Sequence, residues 1–253
     1  MSPSHVAKAL AFGLALSALG LAAQGLDFYS PGTEEDWTSE FSANRPYNVR
    51  SVPAPTRSGA EALRMEARYG ERDDDGSYHS EIEKEAAGRP GETRWYGFST
   101  YVPASWVDSE QVTVTAQWWS HSRANPPLSL RIQDDQWLIL QRWTTGREGT
   151  MRQVVGPVRK GTWTDWVFQV SWSSGDGFVK VWRDGEVVFE RRGPNIYPIT
   201  RSLRFKLGVY VWPWKDAPPA PETSSPRILY HDEIRIGDEN SGYEAVRPRD
   251  DAP

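Results

Sequence analysis

Three short stretches of the 253-residue chain each set one polar, reaction-capable side chain into an otherwise apolar run. They are His79 in YHSEIEKE, Gln117 in VTVTAQWW and Tyr210 in RFKLGVYVW. An imidazole, a carboxamide and a phenol together can neutralise a carboxylate, take a proton from the carbon beside it and protonate a departing oxygen. Side chains alternate between the two faces of a strand. In residues 111–119 that alternation groups Val112, Val114, Ala116 and Trp118 on a buried face and turns Gln117 away with Thr113, Thr115 and Trp119. In residues 204–212 it buries Phe205, Leu207, Val209 and Val211, leaving Arg204, Lys206, Gly208, Tyr210 and Trp212 outward. In PLSLRIQ it buries Leu128, Leu130 and Ile132 and exposes Arg131, a candidate cation on a similar polar face.

The elements that must position these residues are strands. Short alternating runs bounded by Gly, Pro, Asn and Asp predict antiparallel strands near 61–69, 78–86, 93–102, 111–119, 127–133, 136–143, 163–173, 177–183, 186–192, 203–212 and 227–236. The clearest hairpin is GFVKVWRDGEVVFERR, where Asp184-Gly185 supplies the positive φ angles of a tight type I′ turn. No segment carries a sustained 3.6-residue period with caps, so the chain reads as an all-β sandwich or barrel. The proline-rich segment 213–226 forms neither ladder nor helix and overhangs whatever Tyr210 and Trp212 line.

Residues 1–23, with Lys8 ahead of the apolar run ALAFGLALSALGLAA, read as a cleaved signal peptide. Residues 24–246 read as one domain and 247–253 as a disordered tail. With no cysteine there are no disulfides, which together with the leader points to a bacterial periplasm or medium. A formal charge of −5 gives no global attraction for nucleic acid, so an anionic ligand needs a local basic patch. No later run spans a membrane, and a monomer is expected.

Trp163, Trp166, Trp172 and Trp182 sit in strand contexts that core packing explains, whereas Trp119, Trp212 and Trp214 fall on the polar side near the candidate site. Glu81, Glu83 and Glu85 share a face with His79 and raise its pKa towards that of a working base. The same carboxylates offer a rival reading, a retaining glycosidase using Glu81 and Glu83. The turn DDDGS, 73–77, lacks the spaced ligands of a calcium loop and reads as a solvated acidic turn. Nothing resembles a zinc cluster, a nucleotide loop or a serine-hydrolase elbow.

From about residue 61 to 237, the ordered set TRWYGFSTYVPASW, VTAQWW, NPPLSLRI, GPVRKGTWTDWVFQVSWS, VWRDGEVV, FKLGVY and YHDEIRIG resembles the polysaccharide lyases grouped with heparin lyase I and glucuronan lyase. The layout is also similar to that of the alginate lyases. The resemblance implies a β-jelly-roll sandwich of two antiparallel sheets and β-elimination on an anionic, uronic-acid-containing polysaccharide of glucuronan, alginate or glycosaminoglycan type. It implies Gln117 neutralising the uronate carboxylate, His79 as base or second neutraliser, and Tyr210 protonating the leaving O4 and also serving as a base. Arg131 and Lys206 would hold substrate carboxylates, with Trp119 and Trp212 as sugar-stacking surfaces. No cofactor is needed, although a structural calcium occurs in relatives. Many relatives carry histidine two residues after the glutamine, where this chain has Trp119, so His121 in the following loop is a substitute. The base is then one of His79, His121 and Tyr210. A lectin-like module that keeps the groove without catalysis is the competing class.

Overall fold

Fifteen strands order the described residues, which in this computed structural model are 25–120, 125–198 and 201–250. They are β1 (Leu26–Ser30), β2 (Ser39–Ser42), β3 (Val49–Val52), β4 (Ala62–Ala67), β5 (His79–Gly88), β6 (Thr93–Tyr101), β7 (Thr113–Trp119) and β8 (Leu128–Gln133). The second half supplies β9 (Gln136–Arg142), β10 (Thr150–Pro157), β11 (Trp163–Ser171), β12 (Phe178–Arg183), β13 (Glu186–Arg192), β14 (Leu203–Tyr210) and β15 (Arg227–Gly237). The eleven runs read from alternation all appear as strands. The four that alternation does not reveal are β1, β2, β3 and β10. Of these, β2, β3 and β10 lie at sheet edges, where one free side permits short, polar strands.

The strands form two antiparallel sheets, a jelly-roll sandwich. The eight-stranded sheet runs β13-β12-β11-β6-β15-β4-β3, with β1 also on β15; the seven-stranded sheet runs β10-β9-β8-β7-β14-β5-β2. Their facing sides interlock through aromatic rings. Trp118 of β7 lies 4.8 Å from Phe168 of β11 and 5.0 Å from Phe205 of β14, and Trp137 of β9 lies 5.1 Å from Trp166 of β11. Such offset and edge-on contacts fix the sheets more tightly than aliphatic burial alone. At the β12–β13 turn Asp184 and Gly185 have φ of 51° and 87°, as the hairpin requires. Among the described residues no helix is long and apolar enough to cross a membrane.

Four sequence expectations change. Trp214 is 1% exposed and packs in the core, donating from Nε1 to Gln111 Oε1 at 3.0 Å, because the turn after Trp212 folds it back between the sheets. Trp182 lies on the outer face of the eight-stranded sheet, stacked on Trp95 at 5.8 Å under a helical turn at Tyr243–Val246. The expected disordered tail is tied down as far as Asp250: the Arg249 N–H donates to Glu233 at 3.1 Å, and Asp250 pairs with Arg57. The proline-rich segment also holds two single 3-10 turns, Trp212–Lys215 and Pro221–Thr223, since a helix's first residues need no N–H partner. Residues 1–23 and His121 lie outside the described residues.

Candidate active site

Strand register assembles the site on the outer face of the seven-stranded sheet. His79 of β5 faces Tyr210 of β14, Tyr210 faces Val114 of β7, Val114 faces Arg131 of β8, and Arg131 faces Leu138 of β9. A second row joins Glu83, Lys206, Gln117, Ser129 and Leu140. Between the rows lie Phe41 of β2, Glu81 of β5 and Gly208 of β14. Three stretches separated by up to 131 positions thus deliver His79, Gln117 and Tyr210 to adjoining strands (210 − 79 = 131).

A hydrogen-bonded chain links them. Asp73 binds Nε2 of His79, Nδ1 of His79 lies 3.1 Å from Oε2 of Glu81, and Nε2 of Gln117 donates to Oε1 of Glu81 at 2.5 Å. The last bond reaches from β7 to β5 across β14, where Gly208 presents no side chain. Burial opposes a charge on His79, yet hydrogen bonds and attraction from Glu81 and Asp73 raise its pKa overall. Burial likewise pushes Glu81 up, but His79, Lys206 and Gln117 hold it below the usual carboxylate range. Both shifts favour the charged forms, imidazolium and carboxylate. A carboxylate lies against each ring nitrogen of His79, an arrangement suited to a cation that neutralises charge and less to a base with a free lone pair. Tyr210, its ring 5.4 Å from that of His79, is half-buried, and burial and Glu81 raise its pKa.

Two local irregularities aim the side chains. β14 spends three steps, Leu207 to Tyr210, against two on β7, Ala116 to Val114. β7 in turn spends those two steps against one on β8, Leu130 to Arg131. A bulge shifts the phase of alternation. Ala116 and Trp118 therefore enter the core, whereas Val112 and Val114, expected beside them, line the outer cleft. Gly208 has φ 143°, and a Cβ there would sit 2.1 Å from the Ser80 carbonyl oxygen. Gly208→Ala is expected to lower stability by about 1–3 kcal/mol and to reduce turnover by shifting β14 against Glu81. Thermal unfolding and activity of that variant check this; an unchanged Tm would show the strain to be relieved elsewhere.

In front of this network is a cavity of about 400 Å³ lined by Val114, Gln117, Arg131, Arg142, Tyr210 and Trp212, with Asn125, Pro126, Lys215 and Asp216 at its rim. A second, of about 450 Å³, adjoins it through Arg131 and Trp212 and has a floor of Val112, Leu138 and Leu140. Trp212 is 42% exposed and stands over both. Arg131 donates from Nε to Ser129 at 2.8 Å; burial and the fields of Arg142 and Arg152 lower its pKa to about 9, which leaves it cationic at neutral pH.

The other end of the sheet face is already neutralised. Lys206, expected to hold a substrate carboxylate, is buried over the Phe41 ring and lies 3.4 Å from Glu83. Arg204 bridges Glu83 and Glu85 at 2.8 and 2.9 Å, and both cations lie beside the half-buried Trp119 ring. Glu81 and Glu83 are 1% and 0% exposed and engaged, Glu81 by His79 and Gln117 and Glu83 by Arg204 and Lys206, so neither is placed as a glycosidase acid or nucleophile. Sequence reasoning missed Asp73, whose acidic turn looked solvated, and Arg142, which alternation from Trp137 and Ile139 would have turned outward.

The sequence profile of the family described as "Polysaccharide lyase" matches residues 29–235. Among solved structures, the chain is similar to an endo-β-1,4-glucuronan lyase from the fungus Trichoderma reesei, at a TM-score of 0.78 and 23% identity over 89% of this chain and 100% of that one. An alginate lyase from Pseudomonas aeruginosa matches at 0.54 and 16%, covering 78% of this chain and 88% of the other. An alginate lyase of polysaccharide lyase family 7 matches at 0.55 and 15%, covering 88% and 97%. These structural likenesses are of fold. No curated protein matches the sequence. With the profile running through every strand from β2 to β14 and the sandwich shared along nearly the whole chain, the protein belongs to the polysaccharide lyase family.

Proposed function

We propose that the chain is a secreted lyase that cleaves a uronic-acid-containing polysaccharide by β-elimination, with glucuronan, the polymer named for the T. reesei relative, as the first substrate to test. The observation that carries this reading is the Asp73–His79–Glu81–Gln117 chain lying beside Tyr210. Its imidazolium and the remaining Gln117 N–H supply positive potential where a uronate carboxylate gains charge as the C5 proton leaves. Tyr210 borders both that network and the cleft. Its phenolate takes the C5 proton, the C4–O4 bond breaks as the C4–C5 double bond forms, and the phenol returns the proton to O4. No proton is consumed and no cofactor takes part. Arg131, in register with Tyr210 across Val114, holds substrate charge, and Trp212 stacks on a sugar. Export rests on the leader-like run ahead of residue 24.

The test is ultraviolet absorbance of the mature protein incubated separately with glucuronan, alginate, heparin, hyaluronan and polygalacturonate. Glucuronan is expected to give the rise of a conjugated unsaturated uronate. A rise with another polymer alone reassigns the substrate; none with any polymer removes the uronate reading.

A further inference from the structure

The cleft holds more positive charge than the elimination uses. Arg142, the last residue of β9, lines the same cavity as Tyr210, Gln117 and Arg131, and its Nη1 is buried with no hydrogen-bond partner. Among the described residues no ion pair involves Arg131, Arg142 or Arg152: Arg131 bonds to Ser129 and Arg152 to Gln133. Residues 121–124, which directly precede Asn125 in the chain, include no acidic residue. Asp216 and Lys215 both line the cavity and offset one another in charge. This concentration contrasts with the β5 side, where Lys206 and Arg204 are bound by Glu83 and Glu85.

A guanidinium N–H buried without an acceptor is costly unless a ligand completes it. Arg142 is also remote from the group that neutralises the reacting sugar. From Gln117, its position is two strands away and two residues further along than the Gln117–Ser129–Leu140 row, which is roughly 12 Å between backbone positions on an ordinary sheet. That separation places Arg142 at a different sugar of a bound chain. Its planar fork matches a carboxylate, and Arg131 beside it keeps the local potential positive.

We propose that Arg142 is a specificity-determining residue that binds the carboxylate of a sugar next to the one cleaved, so that the lyase requires consecutive uronates. This rests on the uronate-lyase reading above and narrows it. Polymers that alternate a uronate with a neutral sugar lose this contact, whereas a continuous uronan keeps it.

The experiment compares the parent with Arg142→Gln and Arg142→Lys on a uronate homopolymer, and on the same polymer with half its carboxyl groups reduced to alcohols. Arg142→Gln is expected to raise KM about 10- to 100-fold on the homopolymer with kcat little changed. Arg142→Lys, which keeps the charge but not the fork, falls between. On the reduced polymer the gap between parent and Arg142→Gln shrinks. An unchanged KM, a loss in kcat alone, or an equal KM rise on both polymers overturns the proposal. Binding of a uronate tetramer to Tyr210→Phe with and without Arg142→Gln, followed by calorimetry, separates this from failure of the lyase reading. A 10- to 100-fold weaker affinity supports the arginine's role even if no polymer is cleaved, and equal affinity, or no binding to either protein, overturns it.

Discussion

Tyr210→Phe is expected to lower kcat by about 10²- to 10⁴-fold while leaving the protein folded and its affinity for polymer within a few-fold of the parent. The reason is positional. Of the three candidate groups, His79 has both ring nitrogens engaged by carboxylates and Gln117 does not titrate, which leaves the Tyr210 hydroxyl to exchange protons with substrate. Removing one oxygen leaves the ring, and hence the packing against His79, in place. Because burial and Glu81 raise the phenol's pKa, the phenolate is a minor species at neutral pH and its share grows as pH rises. Parent activity is therefore expected to climb from neutral into alkaline conditions. Retained turnover in Tyr210→Phe would return the base role to another residue, with His121 the next to replace.

His79→Ala carries the second large effect, and it acts on stability as well as rate. It leaves Asp73 and Glu81 in a buried site without the imidazolium between them, a change that costs about 3–5 kcal/mol. It also removes positive potential from the reacting carboxylate, worth about 10²- to 10³-fold in kcat. The pH dependence has a definite sign. The folded-state pKa of His79 is raised, so its stabilising contribution is fully present below the unfolded value near 6.5 and is lost as pH climbs through the folded value. Glu81 is depressed, so its contribution is present above the ordinary carboxylate pKa and lost as pH falls through the lowered one. The Tm gap between parent and His79→Ala should therefore be widest in the mildly acidic to neutral range and narrow towards alkaline pH. A gap independent of pH would mean that the His79 pKa is the same folded and unfolded, and a gap that widens towards alkaline pH would mean that the ring is neutral in the folded protein, which would return the neutral-base role.

The site shows how far a linear reading reaches. Alternation in FKLGVY and LSLRIQ correctly turned Lys206, Tyr210 and Arg131 away from the core, because in both segments the inward row stays on one face. In VTVTAQWW the same rule placed Gln117 outward but sent Val112 and Val114 to the wrong face. The bulge beside Thr115 belongs to the pairing of β7 with β8 and β14, and no residue type within the run announces it. Trp214 was misplaced for a similar reason, since a tryptophan following a proline looks like loop surface until the turn folds it beneath Tyr69 and Tyr78.

By itself, then, the order of residues determined the all-β class, the central strands and the facing of most candidate side chains, because these depend on period-2 burial over a few neighbouring positions. Tertiary structure alone decided what those side chains do to one another. Asp73 becomes the partner of His79, Lys206 is taken by Glu83, and Arg142 is left with an unmet hydrogen-bonding group. Protonation state and charge balance depend on distances between strands far apart in the chain, and only the sheet order brings those strands together.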